Sequence, residues 1–186
     1  MQQLTKKAIL DAFIKLLNVR SLDKIKVKDI VEECGINRNT FYYHFEDIPS
    51  LVEELLRLET EKVLLAENDL ENWEEAFIRA ADFALQNRKA VFHMYNSASR
   101  DMVGRYLNAI AEDVMARFVE RAGAGIPASE EDKKLIIRVY RRTLVGMIED
   151  WLEAGMGYDP QVLIRRLGVL FAGNIRASLQ RSASGV

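Results

Sequence analysis

Apolar residues recur at three- and four-residue spacing along nearly the whole chain, the period of helices that bury one face. Ala8/Ile9, Ala12/Phe13 and Leu16/Leu17 mark a first helix over about residues 5–18. Leu22 and Ile25 anchor the connection that follows. Two short segments come next, one with Val27, Ile30, Val31 and Cys34, the other with Phe41 and Phe45. Leu51, Val52, Leu55, Leu56, Leu58, Val63 and Leu64 carry a fourth helix to about residue 66, a rod of roughly 30 Å at 1.5 Å per residue. Trp73, Phe77, Ala80, Ala81, Ala84 and Leu85 form a fifth stripe, and Val91–Tyr95 a short one. A long stripe runs from Met102 to Phe118 and stops at Gly123 and Gly125. Ser129, with Asp132 three residues on, caps a helix to about residue 154, which Gly155 and Gly157 end. Asp159 and Pro160 open the last helix, to about residue 180. The expectation is an all-α chain of about nine helices.

The stretch from Lys26 to Leu51 organises the rest. Gly35 suits the left-handed end of a helix, and Asn37 suits the cap of the next. A helix, a glycine turn and a capped helix within about twenty residues outline a helix-turn-helix. At about 100° per residue, Phe41 and Phe45 point one way. Asn39, Thr40, Tyr43 and His44 project oppositely, flanked by Arg38 and Tyr42. Lys and Glu, the usual fillers of a solvated helix, are missing from Arg38 to Phe45. Such donors reach phosphate oxygens and base edges in a major groove. Thr5, Lys6 and Lys7 at the start of the first helix are either phosphate contacts or solvated terminal residues. Lys26 joins the candidate DNA contacts.

The segment GINRNTFYYHFEDIPSL resembles the recognition-helix motif of the TetR/AcrR family of transcriptional regulators. The resemblance covers about the first fifty to sixty residues. It implies a three-helix DNA-binding domain, base contacts from Lys28, Arg38, Asn39 and Tyr43, and phosphate contacts from Tyr42 and His44. One departure stands out. Family members commonly place a lysine three residues after the Phe, and this chain has Ile48. The second half, with FIRAADF and VFHMYNS, mildly resembles the dihydroxyacetone-operon regulator subgroup of that family.

The domains expected are a helix-turn-helix unit over residues 1–46 and a helical effector-binding and dimerisation unit over residues 47–186, of which 47–67 form a connecting helix. The last two helices are apolar over more than one face. They read as half of a two-fold four-helix interface using Leu144, Ile148, Leu167, Leu170, Phe171 and Ile175, with Gly168, Ala172 and Gly173 permitting close approach. The family implies an effector pocket in the middle helices. The candidates there are Phe77, Phe92, His93, Tyr95, Met102, Tyr106, Met147 and Trp151, each of which equally suits a core position.

Composition narrows the picture further. Hydrophobic content of 49% with 29% charged residues is ordinary for a globular chain, and the longest uncharged stretches fall far short of a membrane span. The N-terminus lacks a secretory apolar region, which fits a cytoplasmic protein. A lone cysteine, Cys34, forms no internal disulfide. Residues 1–50 hold eight Lys/Arg against seven Asp/Glu, so 8 − 7 = +1. This is a weak asymmetry for a nucleic-acid binder. No metal-spaced His/Cys/carboxylate set or phosphate-cradling glycine loop is present, so neither catalysis nor a cofactor is expected. The function expected is a ligand-responsive regulator, a repressor that binds a palindromic operator as a homodimer and leaves it on binding a small molecule. The alternative is a co-regulator acting mainly through another protein, with weak DNA binding of its own.

Overall fold

In a computed structural model, residues 2–65 and 73–185 are described, and every regular element among them is helical. The α-helices are α1 (Gln2–Leu17), α2 (Val27–Cys34), α3 (Arg38–His44), α4 (Ile48–Leu65), α5 (Trp73–Gln86), α6 (Arg88–Tyr95), α7 (Arg100–Ala122), α8 (Glu130–Glu153), α9 (Pro160–Leu170) and α10 (Asn174–Ala183). A 3-10 turn, Leu22–Lys24, joins α1 to α2. The expected end of the connecting helix at residues 66–67 lies outside the described residues. The single last helix expected from the sequence is two helices, because the chain breaks at Phe171 and Gly173 turns left-handed at φ 75°.

The described residues fall into two compact units, one within Met1–Glu61 and Ala84–Tyr106, the other within Lys62–Phe83 and Leu107–Val186. The first unit extends beyond residues 1–46 because α6 packs on α1. Its core is built from the apolar stripes: Ile9, Phe13 and Leu17 of α1, Ile30 of α2, Phe41 of α3 and Leu51 and Val52 of α4 are fully buried. A buried aliphatic or aromatic side chain contributes about 1.5–3 kcal/mol by leaving water, so this shared core, not helix propensity, holds the short α2 and α3 in place.

In the second unit Trp73, Ala76, Phe77, Val114, Met115, Val119, Leu144, Val145, Ile175 and Leu179 form one core cluster. Ser129 caps α8 by accepting the Asp132 N–H at 3.1 Å, and Asp159 caps α9 by accepting the Gln161 N–H at 2.9 Å. Two assignments to a subunit interface are corrected here. Leu144 and Ile175 are buried in this chain's own core, in one cluster with Trp73, Phe77, Val114 and Met115, while Ile148 and Leu167 pack partly against the same cluster. Among the described residues of this unit, the large apolar side chains left exposed include Leu135 and Val139 on α8, Val162, Val169 and Leu170 on α9, and Phe171.

Gly168 is the second correction to the interface reading. Its open side is filled by Glu74 of the same unit: a Cβ there would stand 2.1 Å from Glu74 Oε1 and 2.8 Å from Cδ. Glu74 Oε2 is buried without a hydrogen-bond partner. Gly168→Ala should therefore turn the flexible Glu74 carboxylate outward, a cheap shift, and the gain in helix propensity of up to about 1 kcal/mol should leave stability unchanged or slightly raised. Thermal unfolding checks this. A midpoint lowered by several degrees would show that Glu74 cannot move aside.

Candidate nucleic-acid interface

Gly35 closes α2 at φ 68° and ψ 30°, and the Ile36 N–H donates to Val31 O at 3.0 Å. That bond satisfies a carbonyl the helix end would leave open, and the left-handed residue turns the chain at once. The next helix starts two residues later. Asn37 Oδ1 accepts the Thr40 N–H at 2.8 Å and the Thr40 hydroxyl at 3.0 Å. Thr40 was expected on the reading face. Its hydroxyl donates to the cap, so toward a partner it offers acceptor capacity only.

Phe41 is fully buried and Phe45 nearly so, with ring centroids 5.8 Å apart. Together they fix the rotation of α3 about its axis. The opposite side follows from that rotation: Arg38 and Asn39 are exposed, Tyr42 is 55% exposed and Tyr43 69%. Neither tyrosine folds into the interior. Tyr42 packs edge-on against Phe41 at 5.5 Å, and Tyr43 against the half-buried His44 at 5.2 Å. The rings are braced while most of their surface stays open, an arrangement suited to stacking and hydrogen bonding on another surface.

The cations around this face mostly have partners already. Lys28 Nζ lies 3.6 Å from Glu32 Oε1, Lys15 3.5 Å from Glu33, and Arg20 3.5 Å from Asp29. Lys26 is exposed, and its N–H donates to Asp29 Oδ2 at 2.8 Å. Thr5 is half-buried on α1. Lys6, expected at a phosphate, turns instead to Glu54 of α4 at 2.7 Å, with its ammonium 5.7 Å from the Phe45 ring centre. Arg57 grips the same carboxylate with Nη2 at 2.8 Å and Nε at 2.9 Å, and also pairs with Glu61. Hydrogen bonding from Arg57, then from Lys6, holds the Glu54 carboxyl down at about 2. Lys6 is thus a tie between α1 and α4. Glu54 went unremarked in the sequence, although its three-residue spacing to Arg57 is a legible signal.

At the start of α4, where this chain has Ile48, Asp47 and Ser50 cap each other. Asp47 Oδ1 accepts the Ser50 N–H at 2.8 Å, Ser50 Oγ accepts the Asp47 N–H at 3.1 Å, and Pro49 has no N–H. The Asp47 and Ser50 N–H groups are therefore taken by the cap, beside the exposed Glu46 and Asp47. This helix end offers a phosphate little.

The candidate effector residues are divided between the units. Phe92, His93, Tyr95, Met102 and Tyr106 lie in the first, and Phe77, Met147 and Trp151 in the second. Phe77 sits in the core against Trp73, centroids 5.9 Å apart. Trp151 Nε1–H donates to Tyr158 O at 2.9 Å, and the buried Tyr95 hydroxyl accepts from Arg100 at 2.7 Å. His93 Nδ1 lies 2.7 Å from Leu17 O, and the Tyr106 hydroxyl donates to Glu53 O at 3.0 Å. Four of the eight candidates have N–H or O–H tips, and all four tips are engaged by protein groups. Phe92 is exposed.

Comparison with known proteins adds the family. A family model described as "Bacterial regulatory proteins, tetR family" matches residues 9–55, and one described as "Transcriptional regulator C-terminal region" matches residues 71–173. No curated protein matches the sequence. Among solved structures, the dihydroxyacetone kinase operon activator DhaS is similar at 16% identity and TM-score 0.78, over 93% of this chain and 97% of that one. NalD, the secondary repressor of the MexAB-OprM multidrug efflux pump in Pseudomonas aeruginosa, is similar at 14% identity and TM-score 0.58, over 97% of each chain. A TetR transcriptional regulator from Rhodococcus sp. RHA1 is similar at 14% identity and TM-score 0.55, over 99% of this chain and 96% of that one. At such identities the likeness is one of fold. The family models and these structures belong to regulators, not enzymes.

The tie around Glu54 has a pH consequence. Unfolded, this carboxyl takes up its proton near 4.5; folded, only near 2. Its depressed value stabilises the fold in full above the unfolded value, and that contribution drains as pH falls from 4.5 toward 2. Glu54→Gln should lower stability at neutral pH and flatten the loss of stability across that acid window, as read by denaturant unfolding at stepped pH. A variant whose acid profile parallels the unaltered protein would show that the tie contributes nothing.

Proposed function

This chain belongs to the TetR family of bacterial transcriptional regulators, and from that premise we propose that it is a ligand-responsive repressor, binding a palindromic operator as a homodimer. The observation that carries the reading is the open face of α3. Arg38, Asn39, Tyr42 and Tyr43 stand exposed on a helix whose rotation two buried phenylalanines fix. Residues 1–46 act as the reading head, with Lys28, Arg38, Asn39 and Tyr43 toward base edges and Tyr42, His44, Thr40 and Lys26 toward the backbone. Residues 47–186 bind effector and form the dimer. The exposed Leu135, Val139, Val162, Val169, Leu170 and Phe171 support a subunit contact there, since exposed apolar area of this kind is costly in water. Two reading helices then enter successive major grooves ~34–36 Å apart, and a small molecule that shifts their separation releases the DNA. A coupling of ~1–3 kcal/mol suffices for a 5–150-fold change in affinity.

A second reading has its own support. The head's cations are largely paired internally and Ile48 stands where a phosphate-binding lysine is common, which favours weak intrinsic DNA affinity and action as a co-regulator through a protein partner. The similar structures named above include both an activator and a repressor.

Selection of duplexes from a random pool on the purified protein should return an inverted repeat, with binding that weakens as salt rises. No sequence-selective retention at any protein concentration would favour the co-regulator. Tyr43→Ala and Asn39→Ala should each relax base preference by ~1–3 kcal/mol and leave the salt slope unchanged.

Ile48→Lys should do the reverse. It should raise affinity for all duplexes and steepen the salt dependence by about 0.9 per added phosphate contact, counting each subunit once. An unchanged salt slope would mean that the start of α4 does not approach the DNA backbone.

A further inference from the structure

Unit 1 contains two hydrogen bonds that join α6 and α7 to the helices carrying the head. His93 on α6 meets Leu17 O, the last carbonyl of α1, at 2.7 Å. Tyr106 on α7 donates its hydroxyl to Glu53 O of α4 at 3.0 Å. The partners are 76 and 53 residues apart in the chain. Both acceptors are main-chain carbonyls, so each bond reports where a helix is and not which side chain it carries. The acceptors differ in need. Carbonyls in the last turn of a helix have no intrahelical donor, and the N–H groups of Val19 and Arg20 go to Leu16 O, so His93 supplies the donor at Leu17. Glu53 O lies inside α4, and Tyr106 uses its second lone pair.

The two anchored helices are also tied to each other. Glu54, adjacent to the Tyr106 acceptor, receives Lys6 of α1. Helices α1 and α4 therefore form one braced pair, held from α6 at one point and from α7 at the other. α7 is a single helix over Arg100–Ala122, and only its part up to Tyr106 belongs to unit 1.

We propose that His93 and Tyr106 are positioning residues, which fix the separation at which the two heads of a dimer are presented to DNA by holding α1 and α4 against α6 and α7. This rests on the proposed dimeric DNA-binding function. It predicts that the two bonds govern tolerance of half-site spacing, not base preference.

The test uses the full chain and a duplex that the unaltered protein selects from a random pool, with a series of that duplex carrying one or two base pairs added or removed at its centre. Tyr106→Phe removes one donor and keeps the ring, and His93→Ala removes the other donor together with the imidazole. The double variant should keep the selected bases of each half-site and lose about tenfold in affinity for the original spacing, as expected for two hydrogen bonds of ordinary net strength. Its preference for the original over the altered spacings should shrink by the same factor. His93→Asn, which offers an N–H near the place of Nδ1, should restore much of the preference in an otherwise unaltered chain. Hydrogen exchange of amides in residues 14–21 and 53–61 should quicken in the double variant, and binding is compared at a temperature where every variant is fully folded. A double variant that binds every spacing more weakly by one common factor, or that keeps the original preference, overturns the proposal and leaves the DNA-binding reading intact. If the unaltered protein selects no duplex, that reading fails first and this proposal with it.

Discussion

The burial of Phe41 and Phe45 is the contact on which the rest depends. α3 has seven residues, too few to hold a helix in water by itself. Two aromatic side chains in the shared core supply both its stability and its rotation, and at 3.6 residues per turn that rotation decides which side chains face outward. Asn37 and Gly35 set where the helix starts, but they do not set which way it looks. If either phenylalanine were polar, Tyr42 and Tyr43 would have no fixed direction, and a reading face would exist in composition only.

Charge supplies little attraction on top of this geometry. The pairs Lys28–Glu32, Lys15–Glu33, Arg20–Asp29 and Lys6–Glu54 offset cations with carboxylates a few ångströms away. The first three are exposed or partly so and worth at most about 1 kcal/mol each, so a nearby phosphate could outcompete the carboxylate. The fourth is different. Glu54 is more enclosed and accepts from two cations, and drawing Lys6 away would leave α4 without its tie to α1. A lysine that looks in sequence like a phosphate contact is, in structure, part of the scaffold.

How legible all this was in the sequence depended on range. Short-range signals carried through: the glycine turn, the Asn37 cap, the Ser129 and Asp159 caps and the phenylalanine face all depend on residues within four of one another. Long-range packing did not. Leu144, Ile175 and Gly168 lie on helices apolar on several sides, where periodicity cannot say whether the chain's own core or another surface takes a given side. The break at Phe171–Gly173 was hidden because glycine within an apolar helix is tolerated as often as it ends one. His93 and Tyr106 were read as ligand candidates since an imidazole and a phenol have polar tips. That the tips meet main-chain carbonyls more than fifty residues away is a property of the fold.

A head with this balance gains selectivity from arrangement. In the proposed regulator, each copy of α3 brings few uncommitted cations, so a single half-site would be held weakly and released quickly by salt. Joining two such heads rigidly converts the second contact into an intramolecular one, and that gain holds only while the linkage matches the groove repeat. Weak heads therefore make the distance between them the controlling variable. Strong, highly basic heads would bind through a mismatch of a few ångströms; near-neutral ones would not. On that reading the hydrogen bonds and ion pairs that brace α1 and α4 are as much a part of DNA recognition as the exposed face of α3.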